Sequence, residues 1–120
     1  MSASHRLGDL GEELAARFLE SCGYRLLDRR YRRPGGEIDL VLRRGDVIVF
    51  VEVKTRGARS PAPAECWLTD RQLSRLRRLA RRWLCEHKPQ GWRGCRFDLV
   101  AIDHRGEENG LRLRHLAGIV

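Results

Sequence analysis

Gly36-Glu37-Ile38-Asp39-Leu40 and, after a short turn, Phe50-Val51-Glu52-Val53-Lys54 decide how this chain reads. Both segments are rich in Val, Ile, Leu and Phe, the composition of buried strands. Ile38, Leu40 and Leu42 alternate with Glu37, Asp39 and Val41, while residues 47–54 form a nearly continuous apolar run, as in a sheet covered on both faces. Arg44-Gly45-Asp46-Val47 between them fits a two-residue II′ turn with Gly45 first. In that register Val41 faces Phe50, Leu40 faces Val51, and Asp39 faces Glu52 with Cβ atoms roughly 5 Å apart. The period of two brings Glu37 and Lys54 to the same face, provided no bulge intervenes. Apolar strands have no structural need for three carboxylates and a lysine, so the hairpin carries a candidate site as well as a fold signal.

Upstream, Leu7, Gly11, Leu14, Ala15, Phe18, Leu19 and Cys22 recur at helical spacing, which predicts a helix over residues 9–22 stopped by Gly23. At 100° per residue Glu12 falls on the margin of that apolar stripe, whereas Glu13 points away and can pair with Arg17. Residues 24–27 read as a short extended segment, followed by the basic run Arg29-Arg30-Tyr31-Arg32-Arg33 and the breaker Pro34-Gly35-Gly36. Downstream, residues 56–63 read as a mobile loop. Thr69-x-x-Gln72 predicts a capping box opening a helix to about His87, with Leu73, Leu76, Leu79, Ala80, Trp83 and Leu84 on one face and arginines on the other. Residues 96–102 form a predicted third strand, 103–110 a polar turn and 111–116 a fourth strand. The order predicts one α/β domain over residues 1–120, a mixed central sheet flanked by helices.

Composition narrows the function classes. Apolar content of 42% and charged content of 33% suit a soluble globular chain, and no apolar run approaches the length of a membrane span. Residues 1–8 lack the apolar block of a signal peptide, so the expected location is cytoplasmic. Cys22, Cys66, Cys85 and Cys95 form no C-x-x-C pair, and the four histidines are scattered; reduced cysteines are expected, with no zinc site. The net charge of +8 suits a polyanion, with nucleic acid the first candidate. The 24 basic residues include only two lysines, Lys54 and Lys88, so a lysine within the charged hairpin points to a need for an ammonium, which guanidinium does not meet.

Phosphodiester hydrolysis requires a nucleophilic water, neutralised phosphoryl charge and a protonated leaving group. An oxygen-only pair such as Asp39 and Glu52 suits Mg²⁺, with Mn²⁺ as a substitute and the backbone carbonyl of Val53 as a third donor. Lys54, two residues past Glu52, would orient or deprotonate the attacking water. Glu37 divides between this metal shell and an ion pair with Arg32 or Arg96, and Asp98 reads as structural, paired with Arg96 or capping a loop. The arginine face of the second predicted helix divides between phosphate contact and a solvated surface, and Trp67, Trp83 and Trp92 read as core or loop anchors.

Four blocks, Gly11-Glu12-Glu13-Leu14-Ala15, Gly36-Glu37-Ile38-Asp39-Leu40, Phe50-Val51-Glu52-Val53-Lys54-Thr55-Arg56 and Arg96-Phe97-Asp98-Leu99-Val100, carry a family resemblance across nearly the whole chain. In these blocks the sequence resembles the PD-(D/E)XK, restriction-endonuclease-like superfamily, and within it the small YraN-like branch of bacterial proteins. The resemblance implies a restriction-endonuclease-like fold with Asp39, Glu52 and Lys54 in the catalytic positions. Glu12 would match the helix glutamate of Holliday junction resolvases, which also commonly form homodimers. Two positions depart from the branch pattern: Arg30 stands where Asn is usual, and Gln72 where Lys is usual. The leading expectation is therefore a Mg²⁺-dependent endonuclease acting on DNA, structure-selective as resolvases are, with Arg30, Arg32, Arg33, Arg56, Arg71, Arg75 and Arg78 as backbone contacts. The alternatives are a nucleic-acid-binding protein that keeps the fold without turnover, and an RNA-processing nuclease.

Overall fold

A computed structural model describes residues 3–57, 68–104 and 110–120. Helix α1 (Ala3–Ser21) leads into three consecutive antiparallel strands, β1 (Arg25–Arg33), β2 (Gly36–Arg44) and β3 (Val47–Arg56). Helix α2 (Asp70–His87) then crosses over to β4 (Gly94–His104), which runs parallel to β3, and β5 (Leu111–Leu116) closes the order β1-β2-β3-β4-β5. This is the mixed sheet flanked by helices that the sequence predicts, consistent with a restriction-endonuclease-like fold. The expected loop at 56–63 falls largely outside the described residues, as do Cys66, Trp67 and much of the 103–110 turn.

The helices cover opposite faces of the sheet. Ala15, Ala16 and Leu19 of α1 pack on Leu40, Leu42, Val49, Val51, Val100 and Ile102. Leu76, Leu79, Ala80 and Trp83 of α2 pack on Ile38, Val41, Ile48 and Phe50, and each large side chain so buried contributes about 2 kcal/mol. The near-continuous apolar reading of β3 follows from this double cover. The Trp83 indole Nε1–H donates to Asp28 Oδ2 at 2.9 Å, which satisfies the one polar atom of that buried ring. The Thr69 capping box forms as expected: Gln72 N–H donates to Thr69 Oγ1 at 3.1 Å, and Thr69 N–H donates to Gln72 Oε1 at 2.9 Å.

Several expected boundaries change. The basic run belongs to β1, which extends to Arg33 because its backbone pairs with β2 out to Arg33↔Gly36. Helix α1 begins at Ala3, six residues before the predicted start. The β2–β3 register is the predicted one, Val41↔Phe50 and Leu40↔Val51, with Gly45 at φ 61 in the turn. The strict alternation of β2 fails at Asp39: Leu40 and Leu42 face α1, yet Ile38 faces α2 beside Val41. Directly across, between the pairs Arg29↔Leu40 and Tyr31↔Ile38, Arg30 adopts the left-handed conformation at φ 48. Arg30 and Asp39 thus drop out of the ladder together while its register is the same on either side, and the left-handed Arg30 is the kind of backbone strain that clusters at functional sites.

Candidate metal and phosphate site

The irregularity at Asp39 marks the end of the β2–β3 ladder, which stops at Leu40↔Val51. Beyond it the strands part, and Asp39 Oδ2 accepts from the Val53 N–H at 2.7 Å, where a regular ladder would offer a carbonyl. The carboxylate is thereby fixed against β3, next to Glu52. One turn of α1 lies above the gap because Gly11 is buried: a Cβ there would stand 2.0 Å from Thr55 Oγ1 on β3. This close approach brings the next residue, Glu12, over the sheet.

Glu12, Glu37 and Asp39 each offer a carboxylate oxygen within 4.8 Å of the other two. Glu52 adjoins them, with its Oε1 3.3 Å from Lys54 Nζ. Burial pushes the Asp39 carboxyl up, to about 8, and the neighbouring charge of Glu52 adds to the rise, against the opposing Val53 hydrogen bond. Glu52 is also raised by burial, with Lys54 acting to lower it. The four acidic side chains meet with Lys54 on Glu52, Arg30 on Glu12 and Arg32 near Glu37, and a hard divalent cation is what such carboxylate oxygen donors accept. The set therefore fits Mg²⁺ or Mn²⁺. Glu37 forms the expected ion pair with Arg32, at 3.5 Å from its Nε, and also lies within this trio.

A cleft of about 70 Å³ opens from these carboxylates towards α2, lined by Glu37, Glu52, Leu68, Gln72, Arg75 and Leu76. The Gln72 carbonyl is engaged in the helix cap, and the charged group that α2 presents to the cleft is Arg75. Helix α1 separates its two glutamates as the helical wheel predicts. Glu13 pairs with Arg17 at 3.0 Å and Arg29 at 2.6 Å, while Glu12 reaches the acidic cluster.

The expected nucleic-acid contacts divide. Arg30 Nε donates to Glu12 Oε2 at 2.8 Å and its Nη2 bonds to Asp9. Arg33 binds Glu86 at 2.7 Å, and Arg32 faces Glu37. Arg71, Arg75 and Arg78 have no carboxylate within ion-pair distance among the described residues and line an exposed groove with Gly35 and Ser74. Arg56 continues β3 beyond Lys54. The Arg30–Glu12 pair was not legible in the sequence, and position 30 is left-handed, a conformation that Asn tolerates better than Arg.

Asp98 lies apart, fully buried, and is structural. It accepts from Arg96 Nε and Nη2 at 2.8 Å each and from the Gly118 N–H at 3.0 Å, with His115 Nε2 at 2.7 Å. Burial opposes its charge, yet these partners hold its carboxyl below the ordinary range. Cys22, Cys85 and Cys95 are free, Trp83 is in the core and Trp92 is partly exposed. No described helix is long and apolar enough to cross a membrane.

Relatives share this sequence over almost its full length. A UPF0102 protein from Beutenbergia cavernae is 44% identical over 120 residues, covering 99% of each chain. Another from Frankia alni is 46% identical, covering 98% of this chain and 97% of its own. A third, from Moorella thermoacetica, is 45% identical over 81% and 80% of the two chains. The model of the uncharacterised protein family UPF0102 matches residues 11–102, a span that begins at the buried glycine of α1 and includes every acidic residue of the site. The chain belongs to the UPF0102 family.

Proposed function

We propose that this protein is a Mg²⁺-dependent endonuclease that hydrolyses phosphodiester bonds in DNA, acting on structure rather than base sequence. The observation that carries the reading is the convergence of Glu12, Glu37, Asp39 and Glu52 with Lys54 where the β2–β3 ladder opens. Glu12, Glu37 and Asp39, joined by Glu52 and the Val53 carbonyl, would hold the ion. When bound, Mg²⁺ supplies Lewis-acid polarisation of the phosphoryl oxygens. Asp39 is held against β3 by the Val53 N–H, beside Glu12 and Glu37. The Lys54 ammonium, tethered to Glu52, orients the attacking water and adds positive charge beside the phosphate. Arg75 neutralises the phosphate from the α2 side of the cleft.

A second reading, nucleic-acid binding without turnover, draws on the Arg30–Glu12 pair, which partly neutralises one proposed ligand. Purified protein incubated with branched, duplex and single-stranded DNA and with RNA, in Mg²⁺, Mn²⁺ or chelator, separates the readings. Metal-dependent nicking of branched DNA, lost in Asp39→Asn and Lys54→Ala, is the expected result. Cleavage that persists in both variants would show that the site is misplaced, and tight binding without any cleavage would favour the second reading.

A further inference from the structure

Helix α2 carries six arginines, and three of them line one open groove. Arg71, Ser74, Arg75 and Arg78 follow at spacings of three and four, so they share one face. With Gly35 they line an open groove of about 330 Å³. Arg33 and Arg82 are committed to Glu86, and Arg30 to Glu12 and Asp9. The three groove arginines have no such partner among the described residues, and all three are exposed.

The β1–β2 turn shapes this groove. Gly35, at φ 98, lies so close to Arg78 that a Cβ would stand 2.6 Å from Nη2. At Gly36 a Cβ would stand 2.5 Å from Arg75 Cδ. Both arginine side chains therefore lie against bare backbone, which restricts their freedom before any ligand arrives. Arg75 also lines the acidic cleft with Glu37 and Glu52, so groove and cleft adjoin at this side chain.

We infer that this groove binds the phosphate backbone of duplex DNA, with Arg75 at its junction with the acidic cleft and Arg71, Ser74 and Arg78 holding successive phosphates of the same strand. Seven residues of helix rise about 10 Å between Arg71 and Arg78. That length matches about three base-pair steps of 3.4 Å along the duplex axis. The guanidinium fork and the Ser74 hydroxyl suit phosphate oxygens, and among the described residues the groove's lining offers no aromatic surface for unstacked bases. The inference rests on the nuclease reading for the position of the scissile phosphate, but binding by the groove requires no metal and no cleavage.

The test uses fluorescence anisotropy of a labelled DNA duplex in chelator across a salt series, comparing wild type, Arg71→Gln/Arg78→Gln and Arg77→Gln/Arg81→Gln. The last pair removes equal charge from the same helix but lines a different cleft, with Ala80, Leu84, Cys95 and Phe97. The groove pair should weaken binding at least ten-fold more than the control pair, and its slope of log affinity against log salt should fall by about 1.8, as for two lost phosphate contacts. Thermal stabilisation by Mn²⁺ should be unchanged in the groove pair and lost in Asp39→Asn. Equal losses in the two arginine pairs, or no loss in the groove pair, would overturn the inference. A groove effect in a protein that cuts no substrate would uphold the groove while removing the nuclease reading.

Discussion

Gly11→Ala tests whether the seat of α1 on β3 builds the site. Gly11 lies inside a helix, where alanine is favoured over glycine by about 1 kcal/mol, so helix propensity alone makes the substitution stabilising. The structure predicts the opposite sign. The added Cβ would lie 2.0 Å from Thr55 Oγ1 and 3.2 Å from Thr55 Cβ, against about 3.5 Å for ordinary contact between heavy atoms. About 1.5 Å must therefore come from rotation of Thr55 and movement of α1 away from the sheet. Overpacking of this kind costs about 1–3 kcal/mol, which leaves a net loss of about 1 kcal/mol, or about 4 °C in Tm. Because Glu12 is the next residue, the same movement carries its carboxylate out of reach of Glu37 and Asp39. Urea unfolding would measure the stability, and calorimetric titration with Mn²⁺ the binding. The variant should be less stable and should bind the ion at least ten-fold more weakly. Thr55→Ala added to Gly11→Ala removes Oγ1 and Cγ2 and should restore most of both. A Gly11→Ala protein that gains about 1 kcal/mol and binds Mn²⁺ normally would refute the reasoning.

Lys54→Arg keeps the positive charge beside Glu52 but replaces a compact ammonium with a broad guanidinium; cleavage should fall about 100-fold with Mn²⁺ binding retained, as measured by single-turnover rates and titration. Asp39 binds its proton more tightly folded than unfolded, so its contribution to stability is complete at low pH and disappears as pH rises from about 4 to about 8. Urea midpoints of the metal-free protein should decline across that window, and the decline should flatten in Asp39→Asn. Asp98 has the opposite sign: its lowered pKa gives stability above the ordinary carboxylate range that is lost as pH falls below it. Asp98→Ala should cost about 3 kcal/mol near neutrality, because it strands Arg96 and the Gly118 N–H, and a cost under about 1 kcal/mol would contradict that network.

Two adjacent pairs of residues show where sequence reading succeeds and stops. Glu12 and Glu13 are told apart by the helical wheel alone, because a regular helix fixes the direction of each side chain relative to the apolar stripe. Ile38 and Asp39 are not, because a period of two holds only while the strand stays regular. The irregularity opposite Arg30 is a joint property of two strands, and no local pattern in either announces it.

The sequence by itself determined the α/β architecture, the hairpin register from Leu40 outward, the capping box of α2 and the identity of the charged hairpin residues. Those features follow from short-range periodicity and turn chemistry. Only the tertiary structure decided that Glu37 joins Glu12 and Asp39, that Arg30 turns inward to Glu12, and that Arg71, Arg75 and Arg78 face outwards without carboxylate partners among the described residues. These depend on which elements meet across the sheet, and charge pairs between residues 18 or more positions apart leave no trace in local sequence.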